Sequence, residues 1–91
     1  MQAKKYRSRP VVIEAIHFTD PGQYPQMRKF IGDNIGPLQS RLDGLEWSFQ
    51  IETLEGNMRV ELGDWVIKGT IGEFYPCKDE VFKMKYEAVD G

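Results

Sequence analysis

Cysteine and histidine are almost absent from this 91-residue chain, which contains one of each, Cys77 and His17. A single cysteine cannot form an internal disulfide, and one histidine with one cysteine cannot supply the usual ligand clusters of a metal site. The two residues also belong to no recognisable nucleophile motif, and a catalytic thiol needs an activating base. We therefore expect a non-enzymatic protein without a bound metal, and no cofactor is indicated.

Long apolar runs are missing as well. No stretch approaches the ~18–20 residues of a membrane span, and none resembles the apolar region of a signal peptide. We therefore expect no membrane partner and a cytosolic location. The sequence also lacks both the GxGxxG and the GxxxxGK[ST] patterns of phosphate-binding loops, so the glycines near Asp64 and Gly72 are interpreted as turn residues.

No charge of one sign dominates the chain. Twelve basic and fourteen acidic side chains give a net charge of −2 and a pI near 5.3, which argues against duplex DNA as a partner. The charge is nevertheless uneven, because the first nine residues hold four cations: Lys4, Lys5, Arg7 and Arg9. Such a segment contacts phosphate or an acidic partner, or is a solvated terminus, which is the commoner case.

The composition that remains is that of a globular chain. Hydrophobic residues make up 41%, aromatic residues 12% and charged residues 29% of the sequence. A chain of this length is expected to form a single domain over residues 1–91 with a thin core.

Apolar periodicity predicts most of the secondary structure. Period-2 alternation and β-branched residues predict strands, and a Met27, Phe30, Ile31 stripe predicts a helix from about Pro25 to Asp33. The predicted strands are Val11–Thr19, Glu46–Leu54, Met58–Leu62, Trp65–Gly69 and Glu73–Tyr75. Pro76 is expected to interrupt strand pairing.

The other segments give weaker signals. Residues 36–45 have no clear period and are predicted to form a loop. Lys78 to Lys83 is predicted to form one helical turn, followed by a possible edge strand from Met84 to Val89. Together these patterns predict an α+β fold, in which a small, mainly antiparallel, meander-like sheet of four to six strands carries one short helix.

The C-terminal half resembles a known family. Its recurrent phrases are ETLEG from Glu52, GDWVIKG from Gly63 and GEFYPCK from Gly72, and the chain closes with Phe82 and Tyr86-Glu87. These phrases, with the opening RSRPVVIEAIHF, are similar to a family of small phage and prophage proteins without a generally assigned activity. The Gly-Asp-aromatic turn also resembles that of PGDYG-type domains, although Leu62 replaces the proline. The resemblance implies a phage or prophage origin.

One group of residues has the composition of a binding site. Aromatic residues interleave with cations, which is the combination that holds nucleotides or acidic protein surfaces. Trp47 and Trp65 are interpreted as core residues, and Asp64 as a turn residue that accepts a hydrogen bond from a nearby backbone N–H group. The candidate binding residues are Arg59, Lys68, Glu73, Tyr75 and Lys78.

Three functions remain open from the sequence. The leading hypothesis is a phage-encoded binding protein that engages and inhibits a host defence or regulatory protein through an acidic surface or a sheet edge. The second is a homo-oligomer that sequesters a nucleotide or a related small anion in a pocket built at its interface. The third is a minor virion assembly protein.

Overall fold

The computed structural model describes residues 2–89, which form six strands and two α-helices. The strands are β1 Glu14–His17, β2 Gln39–Arg41, β3 Glu46–Thr53, β4 Gly56–Glu61, β5 Trp65–Lys68 and β6 Phe74–Cys77, and the helices are α1 Tyr24–Ile31 and α2 Asp79–Lys85. Every strand pair is antiparallel. The predicted α+β class and strand number are confirmed, and a second helix is added.

The strands form two sheets rather than one continuous meander. The first sheet has the order β1-β5-β6 and the second has the order β2-β3-β4. The predicted meander breaks between β4 and β5, where Gly63 adopts a φ of +97°. There the Gly63 N–H donates to the Phe18 carbonyl, and the Phe18 N–H donates to the Asp64 carbonyl. The turn thus transfers the chain from β4 to the neighbour of β1.

The core lies where α1 and the two sheets meet. The alternation in β3 turns Phe49 and Ile51 inward, as predicted, and the helical stripe buries Met27 and Ile31. The Phe18 ring meets the Phe49 ring edge to face, with centroids 5.0 Å apart. This packing holds the first sheet against the second and leaves the opposite face of the first sheet for α2.

A smaller apolar layer covers that opposite face, called here the outer face. Alternation along the strands places Ala15, His17, Trp65, Ile67, Tyr75 and Cys77 on it. Ile67 is fully buried, although it does not belong to the main core cluster. The α2 helix lies over this layer and is two turns long rather than the single predicted turn.

Several predicted boundaries are wrong for identifiable reasons. The first strand covers only Glu14–His17, because its partner β5 ends at Lys68, opposite Glu14, and leaves residues 11–13 without a neighbour. The predicted strand over 84–89 is absent, because α2 continues to Lys85 and residues 86–89 do not pair within the described chain.

Two other predictions fail in the β-sheets. Pro76 lies within β6, opposite Val66, and its missing N–H is tolerated because β6 is an edge strand. The predicted loop over 36–45 contains β2, a short exposed strand, Gln-Ser-Arg, without an apolar pattern that would have revealed it. In residues 2–89, neither helix has the length and apolar character needed to cross a membrane.

Candidate functional site

An apolar groove of about 520 Å³ lies on the outer face of the first sheet, beside the edge strand β1. It is lined by residues 11–13, Ala15, Trp65, Phe82 and residues 86–89, and we call it the β1 groove. Glu87 is the one charged residue in this lining; the other lining residues are apolar or aromatic. Val11 and Val12 at its margin are 57% and 76% exposed. The groove therefore offers solvent-accessible apolar surface next to an edge strand.

An aromatic stack forms the floor of the β1 groove and fixes α2 to the sheet. The Trp65 indole lies parallel to both the His17 imidazole and the Phe82 ring, with ring centroids 4.3 Å and 3.8 Å away. The Phe82 ring contacts Tyr86, with centroids 5.0 Å apart. Trp65 comes from β5, whereas Phe82 and Tyr86 come from α2 and the residue that follows it. The groove floor thus exists because α2 is docked.

Polar contacts fix the start of α2 above the same tryptophan. The Trp65 Nε1–H donates to Asp79 Oδ1 at 2.9 Å, and Lys83 Nζ lies 2.9 Å from Asp79 Oδ2. Both hydrogen bonds lower the pKa of Asp79, and the one from the indole has the larger effect. His17 Nε2 lies 2.9 Å from the Gly63 carbonyl oxygen and 3.7 Å from Asp79 Oδ1. Asp79 is therefore a charged anchor for the helix.

The free side of β1 is open at one end and closed at the other. The N–H and C=O groups of Phe18 bond to the Gly63–Asp64 turn, on the β5 side of the strand. Backbone groups alternate between the two sides of a strand, so the N–H and C=O groups of Ile13, Ala15 and His17 point away from β5, to the free side. The Gln23 Nε2 amide donates to the His17 carbonyl at 3.0 Å and closes that end. Within residues 2–89, β1 pairs only with β5. Ile13 and Ala15 therefore present unpaired backbone donors and acceptors next to the β1 groove.

The five candidate binding residues do not form one site. Lys68 and Glu73 lie at the turn between β5 and β6, where Lys68 Nζ is 6.0 Å from the centroid of the Phe74 ring. The Glu73 carboxylate accepts a hydrogen bond from the Ile71 N–H at 3.3 Å. A Cβ atom at Gly69 would overlap that carboxylate, so a side chain at this position would require Glu73 to move. Both residues contribute to the order of this turn.

Two more of the candidates join an ion-pair chain at the other end of β5. Lys78 Nζ lies 3.0 Å from Asp64 Oδ1 and 3.8 Å from Glu61 Oε2, and Arg59 Nη1 lies 3.7 Å from Glu61 Oε1. The hydrogen bond to Asp64 is the main reason why the pKa of Lys78 is raised. Asp64 is 4% exposed and accepts from the Glu61 N–H at 2.9 Å, as the turn prediction required. Arg59 and Lys78 are therefore engaged with acidic groups of the same chain.

Tyr75, the fifth candidate, lies on the outer face beside Tyr86. Its burial and the neighbouring Tyr86 phenol raise the pKa of Tyr75 to about 12, so this phenol is neutral at physiological pH. Tyr75 thus contacts Tyr86, a residue that lines the β1 groove, but does not line the groove itself. Trp47 belongs to the second sheet, where its Nε1–H donates to the Gly44 carbonyl at 2.8 Å, so the two tryptophans do not share a stacking platform.

Sequence reasoning missed the residues that line the β1 groove. Residues 11–13 are the first residues of the predicted strand Val11–Thr19, and Phe82 and Tyr86 are singled out only by the family resemblance. The sequence signal that could have revealed them is length: the β-branched segment that starts at Val11 is longer than β5, the strand it pairs with. An overhanging apolar strand end indicates an exposed edge.

Cys77 lies apart from His17, the single histidine of the chain. It shares the outer face with His17, but Trp65 lies between them in the strand order, so two strand spacings, roughly 10 Å in total, separate their backbones. Burial is the main cause of the raised pKa of the Cys77 thiol. Both observations disfavour a thiolate nucleophile.

We predict that Cys77→Ser retains the biological activity of the protein, because no described contact of the thiol supports a chemical role. The activity of wild type and variant should be compared at equal concentrations of folded protein, since a serine at a partly buried position can cost stability. Lost activity in a variant with a wild-type circular dichroism spectrum would contradict a passive role for Cys77.

Within residues 2–89, no three His, Cys, Asp or Glu side chains converge as the ligands of a metal ion would. Comparisons with protein-family models, curated proteins and solved structures found no significant match for the chain. The candidate functional site is therefore the β1 groove together with the free edge beside it.

Proposed function

We propose that this chain is a non-enzymatic binding protein that captures an extended segment of another protein along the free edge of β1. In this mode, main-chain hydrogen bonds to the edge strand supply affinity, and alternate side chains of the added strand enter a pocket. One observation carries the proposal: the unpaired backbone groups of Ile13 and Ala15 lie directly beside the apolar β1 groove.

The other edges are less suited to strand addition. Pro76 removes a backbone donor from β6. The β2 strand is three exposed polar residues long, and β4 carries the charged side chains of Arg59 and Glu61. Charged side chains on an edge are a recognised device against added strands. The β1 strand carries one charged side chain, Glu14, but it is preceded by three apolar residues, and no proline lies between Val11 and His17.

The biological setting of the proposal comes from the sequence resemblance. Many proteins of phage or prophage origin act inside a bacterial cell, and we propose that the captured segment belongs to a host defence or regulatory protein. Occupation of that segment would inhibit the host protein by removing it from its own contacts. Nucleotide sequestration receives less support, because Arg59 and Lys78 are paired with carboxylates of the same chain.

Site-specific photocrosslinking tests this proposal in host cells. A benzophenone amino acid at Val12 should give a discrete protein adduct, whereas the same probe at Leu45 should not. The two positions are matched, because their side chains are 76% and 78% exposed. Adding Ala15→Arg, which fills the β1 groove, should remove the Val12 adduct.

Val11→Asp is a second groove variant. It alters a side chain that is 57% exposed, so it carries less risk to folding than Ala15→Arg does. Both variants should reduce the Val12 adduct while they retain a cooperative unfolding transition. Equal adducts from Val12 and Leu45, or a Val12 adduct that survives both groove variants, would refute binding at this edge.

A further inference from the structure

We infer that the segment held by the β1 groove is an apolar strand followed, towards its C-terminus, by acidic residues. This inference rests on the proposed function and adds the chemistry and the direction of the partner. It is carried by the basic segment that precedes β1, together with the closed end of the free edge at His17.

The basic segment, residues 2–13, has no regular secondary structure and contains no acidic residue. Its four cations, at positions 4, 5, 7 and 9, are exposed. No ion pair joins any of them to a carboxylate within residues 2–89. These charges are therefore available to a partner, in contrast to those of Arg59 and Lys78.

The position of these cations follows from the chain itself. A strand rises about 3.3 Å per residue, so Arg9 lies within roughly 13 Å of Ile13 if the segment is extended. A strand that pairs with Ala15 and Ile13 and continues past Val11 therefore runs alongside Arg9 and then Arg7. Acidic residues at that part of the partner would meet opposite charge, which favours association and sets its register.

The closed end of the free edge fixes where partner pairing begins, and the antiparallel arrangement of the fold fixes its direction. The His17 carbonyl is occupied by Gln23, and the carboxylate of Asp79 lies beside the His17 ring. Partner pairing therefore begins at Ala15 and proceeds towards the basic segment. Antiparallel pairs are slightly more stable per residue than parallel ones, and every pair in this fold is antiparallel. An antiparallel partner reaches the basic segment with residues that follow its apolar run.

A second copy of the chain fits this surface less well. If residues 11–15 of two copies paired antiparallel, the residues alongside the four cations would be residues 17–22. This stretch offers one carboxylate, and its Phe18 is already fully buried and bonded to the Gly63–Asp64 turn. Charge complementarity therefore favours a different, more acidic chain.

Fluorescence anisotropy with three synthetic peptides tests the inference. Each peptide has a six-residue run of alternating valine and threonine. In the first, four Asp and Glu residues follow the run; in the second, they precede it; in the third, four serines follow it. We expect the first peptide to bind about tenfold more tightly than the third at low salt, a gain within the range of several exposed ion pairs. The difference should shrink as salt is added.

Paired variants assign this advantage to the basic segment. Arg7→Ser with Arg9→Ser should remove most of the difference between the first and third peptides. The matched control, Arg28→Ser with Lys29→Ser, changes two exposed cations on α1 and should preserve it. None of the four side chains is buried, so both double variants are expected to fold.

The possible results separate the inference from the function it rests on. Equal binding of the first and third peptides, with loss of both in Ala15→Arg, would overturn the acidic partner but leave strand capture intact. Tightest binding of the second peptide would overturn the stated direction. Binding of none of the peptides, or a concentration-dependent dimer that Ala15→Arg abolishes, would overturn both the inference and the proposed function.

Discussion

Replacement of Trp65 by alanine is expected to lower the free energy of unfolding by about 3 kcal/mol, at the lower end of the range for large aromatic truncations. The indole is half-buried rather than fully buried, but it stacks on two rings and donates to Asp79. Its loss removes the surface on which Phe82 rests. The variant should therefore also release α2 and the aromatic floor of the β1 groove.

Chemical denaturation measures the stability change, and amide hydrogen exchange over Asp79–Lys85 measures the release of α2. Trp65→Phe is the conservative variant, because it keeps an aromatic stack and loses the hydrogen bond to Asp79. Trp47→Ala is the matched control, a half-buried tryptophan in the second sheet, and it should leave exchange in α2 unchanged. A stability loss for Trp65→Ala below about 1 kcal/mol would contradict a structural role for this stack.

Replacement of Asp64 by alanine is expected to cost about 2 kcal/mol, the range for losing hydrogen bonds to a charged group. The Asp64 carboxylate is buried, accepts from the Glu61 N–H and pairs with Lys78. Without it, the turn that carries the chain from β4 to β5 loses its internal acceptor. The junction between the two sheets should weaken with it.

Two further variants separate the turn from the ion pair. Asp64→Asn keeps an oxygen acceptor for Glu61, so it should lose less stability than Asp64→Ala. Lys78→Ala removes a side chain that is 63% exposed, and exposed ion pairs contribute roughly 0.2–1 kcal/mol. If Lys78→Ala proved as destabilising as Asp64→Ala in equilibrium unfolding, the ion pair rather than the turn would carry the effect.

The parts of the fold that the sequence predicts are those where local pattern and burial agree. Phe49 and Ile51 alternate with polar residues along β3 and lie in the core, and Met27 and Ile31 repeat at helical spacing and are buried. The boundaries that fail depend on tertiary neighbours. Residues 11–13 have strand-forming side chains but lack a strand to pair with, and Pro76 sits in a strand because that strand is at an edge.

The candidate site was harder to predict, because charge and aromatic content do not show which groups are already paired. Lys78 and Arg59 look available in the sequence, yet in the fold they contact carboxylates that are distant in sequence or on the same strand. The β1 groove depends on α2 docking over Trp65, a contact between residues 14 or more positions apart. The cations in the first nine residues are the one part of the proposed site that the sequence shows directly, and we propose that a partner uses them.

Amide hydrogen exchange of Ile13 and Ala15, measured by NMR with a saturating peptide whose apolar run precedes acidic residues, tests the central claim most directly. Strand addition at β1 predicts that exchange at both amides slows about tenfold or more, because they gain backbone acceptors. Exchange along the free edges of β2 and β4 should not change. Slower exchange at β2 or β4, with Ile13 and Ala15 unaffected, would contradict the account.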